Sequence, residues 1–135
     1  MKIKVQSKTP AKVRQLVFNL LDVFQKIGIP LDDTDRRVER MAKACLAVGK
    51  IKKSFAEAIS EENDSFVRTR DIITFENENY GENISPGSYD DIRRKDLRLL
   101  VEAGVVINSS SKENQATNNP SRGYALGKSF VELLY

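Results

Sequence analysis

The stretch from Ser85 to Ile107 constrains the fold of this chain more than any other part of it. Ser85-Pro86-Gly87-Ser88 carries helix-start chemistry: hydroxyl side chains suited to capping, and a proline whose ring already sets a helical φ. Either Ser85 begins the helix with Pro86 in its first position, or Ser88 does so with Asp91 completing a capping box three residues on. Tyr89, Ile92, Leu97, Leu100 and Val101 can then face inward, while Arg94, Asp91 and Arg98 share the opposite side and Arg93 and Lys95 flank it. Gly104 stops the helix, since glycine takes a left-handed backbone without steric penalty. Val105-Val106-Ile107 follows at once as a β-branched strand.

The chain upstream reads as helices. Thr9 as N-cap and Pro10 in the first position open one. In it Val13, Leu16, Val17, Leu20, Leu21 and Phe24 recur at helical spacing, and Gly28 and Pro30 stop it. Asp33 or Thr34 caps a second helix reaching Val48, with Val38, Met41, Ala42, Cys45, Leu46 and Val48 apolar and Arg36, Arg37, Arg40 and Lys43 on its remaining surface. Residues 50–60 suggest a short helix around Ile51, Phe55 and Ala58, and residues 61–65 a polar break. Thr69 caps a further helix that contains Ile72, Ile73 and Phe75 and ends at Tyr80-Gly81, with Asn83 to Pro86 as the following turn.

Downstream, residues 108–123 are too polar to pack and read as a long hairpin loop. Tyr124-Ala125-Leu126 returns as a strand, and Phe130, Leu133 and Leu134 begin a last helix without a cap. The expected fold is therefore mainly α with a small β-hairpin: a winged helix-turn-helix preceded by an N-terminal helical bundle. One domain spans 1–135, with N-terminal helices over 1–60, the winged helix-turn-helix over 66–126 and the start of a C-terminal helix over 127–135. The abrupt ending suggests the N-terminal part of a longer protein.

Composition excludes more than it assigns. There is no histidine and a single cysteine, Cys45, so an intrachain disulfide is impossible and neither a zinc site nor a His-based triad has its material. Cys45 reads as a small buried residue. No apolar run suits a membrane span and no signal-peptide core is present, which points to the cytoplasm. Formal charge is only +3, but it is unevenly spread. Residues 1–60 hold 13 Lys/Arg against 6 Asp/Glu, residues 61–91 hold 2 against 9, and residues 92–135 hold 7 against 4. The acids of 61–91 lie on loops and helix starts and read as a solvated surface; Asp90 and Asp91 suit the positive end of a helix dipole. No strand-borne acid precedes a Glu-x-Lys, and there is no Gly-rich phosphate loop, so no catalytic centre, metal site or cofactor is expected.

In a winged helix-turn-helix the start of the second helix enters the major groove, where arginine can bond guanine bidentately. Arg93, Arg94, Lys95 and Arg98 are the candidate contacts, Ser85 and Ser88 with the first-turn N–H groups suit a phosphate, and Tyr89 lies among them. From the wing, Asn118 and Arg122 would reach the adjacent minor groove or backbone.

Three separated blocks carry a resemblance: Ile84 to Arg94, Leu100-Val101-Glu102-Ala103-Gly104-Val105-Val106, and Thr117-Asn118-Asn119-Pro120 with Arg122 and Tyr124. Together they are similar to the N-terminal helix-turn-helix domain of BsuBI/PstI-type restriction endonucleases, chiefly over residues 66–126. The resemblance implies a domain that recognises double-stranded DNA for a restriction–modification or defence enzyme, with the nuclease domain beyond Tyr135. Two alternatives stay open, a winged helix used for dimerisation or protein contact and a stand-alone transcription regulator, and a homodimer is compatible with each.

Overall fold

The computed structural model describes residues 3–63, 66–108 and 123–135. Helix α1, Ala11–Lys26, buries the expected stripe of Val13, Leu16, Val17, Leu20, Leu21 and Phe24. It ends where Gly28 turns left-handed at φ +86°. Thr9 does not cap it: the helix starts at Ala11 with Pro10, not Thr9, in the N-cap position, so Pro10 is not the first helical residue either, and the Thr9 hydroxyl accepts from Lys43 Nζ at 2.8 Å.

Helix α2, Asp35–Val48, is capped by Thr34, whose Oγ1 accepts the Arg37 N–H at 3.2 Å. It is the centre of the domain, packed by α1 on one side and later elements on the others. Every residue from Met41 to Gly49 is buried, Lys43 included, so the expectation of a solvated cationic surface fails at that residue. Ala42, Ala44 and Ala47 are small enough for neighbours to approach on every side. Cys45 is buried as expected, and burial pushes its thiol up. The second half of α2, apolar on all sides apart from Lys43, belongs inside.

In place of a helix over 50–60 there is a single 3₁₀ turn, Phe55–Glu57, closed by a Ser54/Glu57 capping box. Another turn, Glu61–Asn63, follows. Helix α3, Thr69–Asn79, begins one residue earlier than a Thr69 cap would place it: Arg68 is the cap position, and Asp71 accepts the Arg68 N–H at 3.0 Å. It ends at Tyr80, fully buried with its hydroxyl donating to the Ile51 carbonyl, and at Gly81, φ +71°. A side chain on Gly81 is excluded twice, by its φ and by the Lys8 carbonyl oxygen 2.2 Å from where a Cβ would sit.

The helix expected from Ser85 to Gly104 is interrupted. A 3₁₀ turn, Pro86–Ser88, leads into helix α4, Tyr89–Asp91; a π-turn covers Ile92–Asp96, and helix α5 runs Arg98–Glu102. The Leu97 N–H reaches back five residues to the Ile92 carbonyl at 2.9 Å. Pro86 takes the first turn as expected after Ser85, but neither Ser85 nor Ser88 caps through its side chain, so the Ser88/Asp91 capping box does not form. Ile92, Leu97 and Leu100 are fully buried, while Tyr89 is 57% exposed rather than inward. Strand β1, Val106–Asn108, pairs antiparallel with β2, Tyr124–Leu126, in the register Val106 to Leu126. Single bridges from Val67 and Ser60 also reach β2. Helix α6, Lys128–Leu134, sets Phe130 against Phe24 of α1. The expected wing between the strands lies outside the described residues.

The main surprise is a buried ionic network. Lys43 Nζ donates to Thr9 Oγ1, to Glu39 Oε2 at 2.7 Å and to Glu82 Oε2 at 2.7 Å. Arg36 grips Glu82 with both terminal nitrogens at 2.9 and 2.7 Å. Glu76 and Glu82 therefore do not belong to a solvated acidic surface: both are buried, and Glu76 has neither carboxyl oxygen hydrogen-bonded.

The two carboxyls respond to pH with opposite sign. Burial alone would raise Glu82, but hydrogen bonds from Arg36 and Lys43 outweigh it and hold the group at about 2. The stability it contributes is complete above the ordinary value of 4.5 and drains as pH falls towards 2. Glu76 is raised by burial and by Asp96 and Glu82, so its contribution is complete below 4.5 and lost as pH rises through its folded value. At pH 7, Lys43→Met and Glu82→Gln are each expected to cost about 3–5 kcal/mol in urea unfolding, because each strands buried charge. Glu76→Gln is expected to cost less than about 1 kcal/mol at that pH, since it replaces a group whose neutral form the fold already favours.

Candidate nucleic-acid interface

The interrupted helix presents all four candidate cations to solvent. Arg93, Arg94, Lys95 and Arg98 have side chains 58%, 66%, 47% and 72% exposed. None is unaccompanied. Asp90 takes both Arg93, at 2.6 Å, and Arg94, at 3.1 Å; Asp91 lies 3.7 Å from Lys95, and Glu102 lies 3.1 Å from Arg98. The expected basic side is thus a lattice of i,i+3 and i,i+4 ion pairs. Exposed pairs of this kind contribute roughly 0–1 kcal/mol each, so a phosphate or a base edge can displace the carboxylate at little cost.

Ser85 and Ser88 sit at the start of the same helix with their hydroxyls 3.0 Å apart. Tyr89 and Arg93 line a shallow depression of about 270 Å³ together with Arg68, Thr69, Asn108, Gly123 and Tyr124. The start of α3, the start of the interrupted helix and the base of the hairpin therefore converge. Arg68 was missed by sequence reasoning, although Arg68-Thr69-Arg70 straddles the start of α3 and its spacing was visible. Asn118 and Arg122 lie outside the described residues.

What holds the helix in place is Asp96, an acid without an assigned role in the sequence reading. It is buried in the π-turn and accepts from Arg40 Nε at 3.1 Å, with Arg37 Nη1 3.8 Å away. Burial raises the Asp96 carboxyl despite the attraction of Arg40 and Arg37. Of the α2 arginines read as surface, Arg36 and Arg37 are about a third exposed and Arg40 less, all three turned to carboxylates. A side chain directed inward from the middle of a helix is one reason a π-turn forms: the extra residue rephases Ile92 and Leu97 so that both still reach the core.

Asp96→Asn is expected to cost about 3 kcal/mol in urea unfolding, leaving the Arg40 charge without its partner. Combined with Arg40→Gln the loss should fall well short of additive, and a double-mutant cycle reads that coupling directly.

No helix among the described residues is long and apolar enough to cross a membrane. The family described as the BsuBI/PstI restriction endonuclease HTH domain matches residues 15–135. A solved structure of the SdaI restriction endonuclease is similar in fold, with a TM-score of 0.68 and 20% identity over 94% of this chain. The aligned part is 37% of the SdaI chain, so the present chain spans little more than a third of that neighbour. No curated protein sequence matches it.

Proposed function

The chain belongs to the BsuBI/PstI restriction endonuclease HTH domain family, and on that premise we propose that it binds duplex DNA as the target-recognition part of a restriction endonuclease or a related restriction–modification enzyme. The observation that carries this reading is the convergence of Arg68, Arg93 and Asn108 around the exposed start of the interrupted helix, at the base of the hairpin. In a docked helix-turn-helix, Arg94 and Arg98 meet base edges while Ser85, Ser88, Arg93 and Lys95 meet phosphates. Arg68 is the contact added from the start of α3. Catalysis is assigned to the parent enzyme rather than to this domain.

Duplex binding is expected to weaken steeply with salt as counterions are released from neutralised phosphates. Titration of labelled duplex at two salt concentrations measures this, and no binding to a random-sequence pool at low salt would overturn the reading. Replacing Arg94 or Arg98 by alanine should cost about 1–3 kcal/mol on a preferred site and relax the preference at one base pair. Asp90→Asn should act in the opposite direction. It frees Arg93 and Arg94 together, and duplex affinity should rise several-fold with a steeper salt slope.

One observation favours a protein-contact reading instead: the helix surface is nearly charge-balanced, and Tyr89 and Leu99 stand exposed on it. Salt-insensitive self-association in place of duplex binding is what that reading predicts.

A further inference from the structure

A larger concavity meets the helix start at Ser85 and Ser88. It is a groove of about 570 Å³ between residues 6–8, α2 and the turn at residues 81–85, and Ser85 and Ser88 form part of its wall. Lys8, Arg36 and Arg40 also line it. Two of these cations are preset. Glu82 holds Arg36 from beneath with two hydrogen bonds, and Asp96 holds Arg40. Lys8 is exposed and lines the groove from a segment tied to α2 by hydrogen bonds. The Lys4 N–H is bonded to Asp35 at 3.0 Å, the Gln6 N–H to Glu39 at 3.3 Å, and Thr9 to Lys43 at 2.8 Å. The Lys8 carbonyl is pressed against Gly81.

We propose that this groove seats a phosphate of the DNA backbone, with Lys8 as the cation that meets it and the Ser85 and Ser88 hydroxyls as neighbouring donors. The inference rests on the duplex-binding reading and extends it. The candidate surface then runs on both sides of the helix start, from Arg68 and Asn108 at the hairpin base to Lys8 on the N-terminal segment. A backbone phosphate fits better than a buried small-molecule anion. The groove is open, its carboxylate Glu82 is already consumed by Arg36 and Lys43, and the remaining cation is a flexible point charge on the rim.

The test is duplex binding by wild type, Lys8→Ala and Lys26→Ala across a salt series, with phosphate-ethylation interference on the same duplex. Lys26 is exposed at the opposite end of α1, about 24 Å from the start of that helix. Lys8→Ala is expected to weaken binding several-fold, to flatten the slope of log K against log salt by about 0.9, and to erase interference at one phosphate. Lys26→Ala should change none of these. Equal behaviour of Lys8→Ala and wild type overturns the groove while leaving duplex binding intact, as does an equal loss in both variants. A wild-type protein without duplex affinity overturns groove and function together. Thermal unfolding of Lys8→Ala should match wild type, because only the backbone of Lys8 takes part in the packing at Gly81; a lowered midpoint would mean the side chain serves the fold and would count against the groove. Inorganic phosphate at millimolar concentration should lower wild-type duplex affinity no more than chloride does at equal ionic strength. Tight binding of free phosphate by wild type would point to an anion pocket and overturn the backbone assignment.

Discussion

The ammonium of Lys43 is the interaction on which the rest of the domain depends. It is removed from water in the middle of α2, and all three of its protons are satisfied, by Thr9, Glu39 and Glu82. Those partners come from the segment before α1, from α2 itself and from the turn after α3. A buried charge is tolerated only with such complete pairing, so each partner is held where the ammonium needs it. Three stretches of chain separated by more than thirty residues are thereby fixed to one atom.

The same helix places the candidate interface. One turn before Lys43, Arg40 reaches Asp96, and Arg36, a further turn back, clamps Glu82. Positive side chains of α2 thus hold both the turn that enters the interrupted helix and the π-turn in its middle. The interrupted helix is set against the core by charge as well as by Ile92, Leu97 and Leu100. The Glu76 carboxyl lies among these groups without a hydrogen bond and favours its neutral form, which keeps the arrangement from carrying an excess of buried negative charge.

On the outer side of that helix the charge logic reverses. There the carboxylates of Asp90, Asp91 and Glu102 are exposed and exchangeable, and they moderate four cations without burying them. The inner pairs hold geometry and the outer pairs screen charge. An arginine that is already oriented by a weakly held neighbour loses less freedom on meeting a new acceptor. Screening of this kind also limits indiscriminate attraction to any polyanion.

Sequence by itself determined where α1, α2 and α3 run, where the interrupted helix ends and where β2 begins. Those are local matters: the stripe from Val13 to Phe24, the Thr34 cap, Gly81 and Gly104 as stops, and the β-branched run after Gly104 each act over a few residues. The likeness of the blocks around Ser85, Leu100 and Thr117 to one family was legible for the same reason. Tertiary structure decided which charges are inside. Lys43, Glu82 and Asp96 look like any solvated residues, because burial of a charge depends on partners distant in sequence that no local pattern displays. The one available signal was the run from Met41 to Gly49, nine residues with a single charge, which is too apolar for a helix with an exposed face. The π-turn was likewise hidden, since it reconciles two demands on one segment, Asp96 towards α2 and Ile92 and Leu97 towards the core, that exist only once the helices are packed.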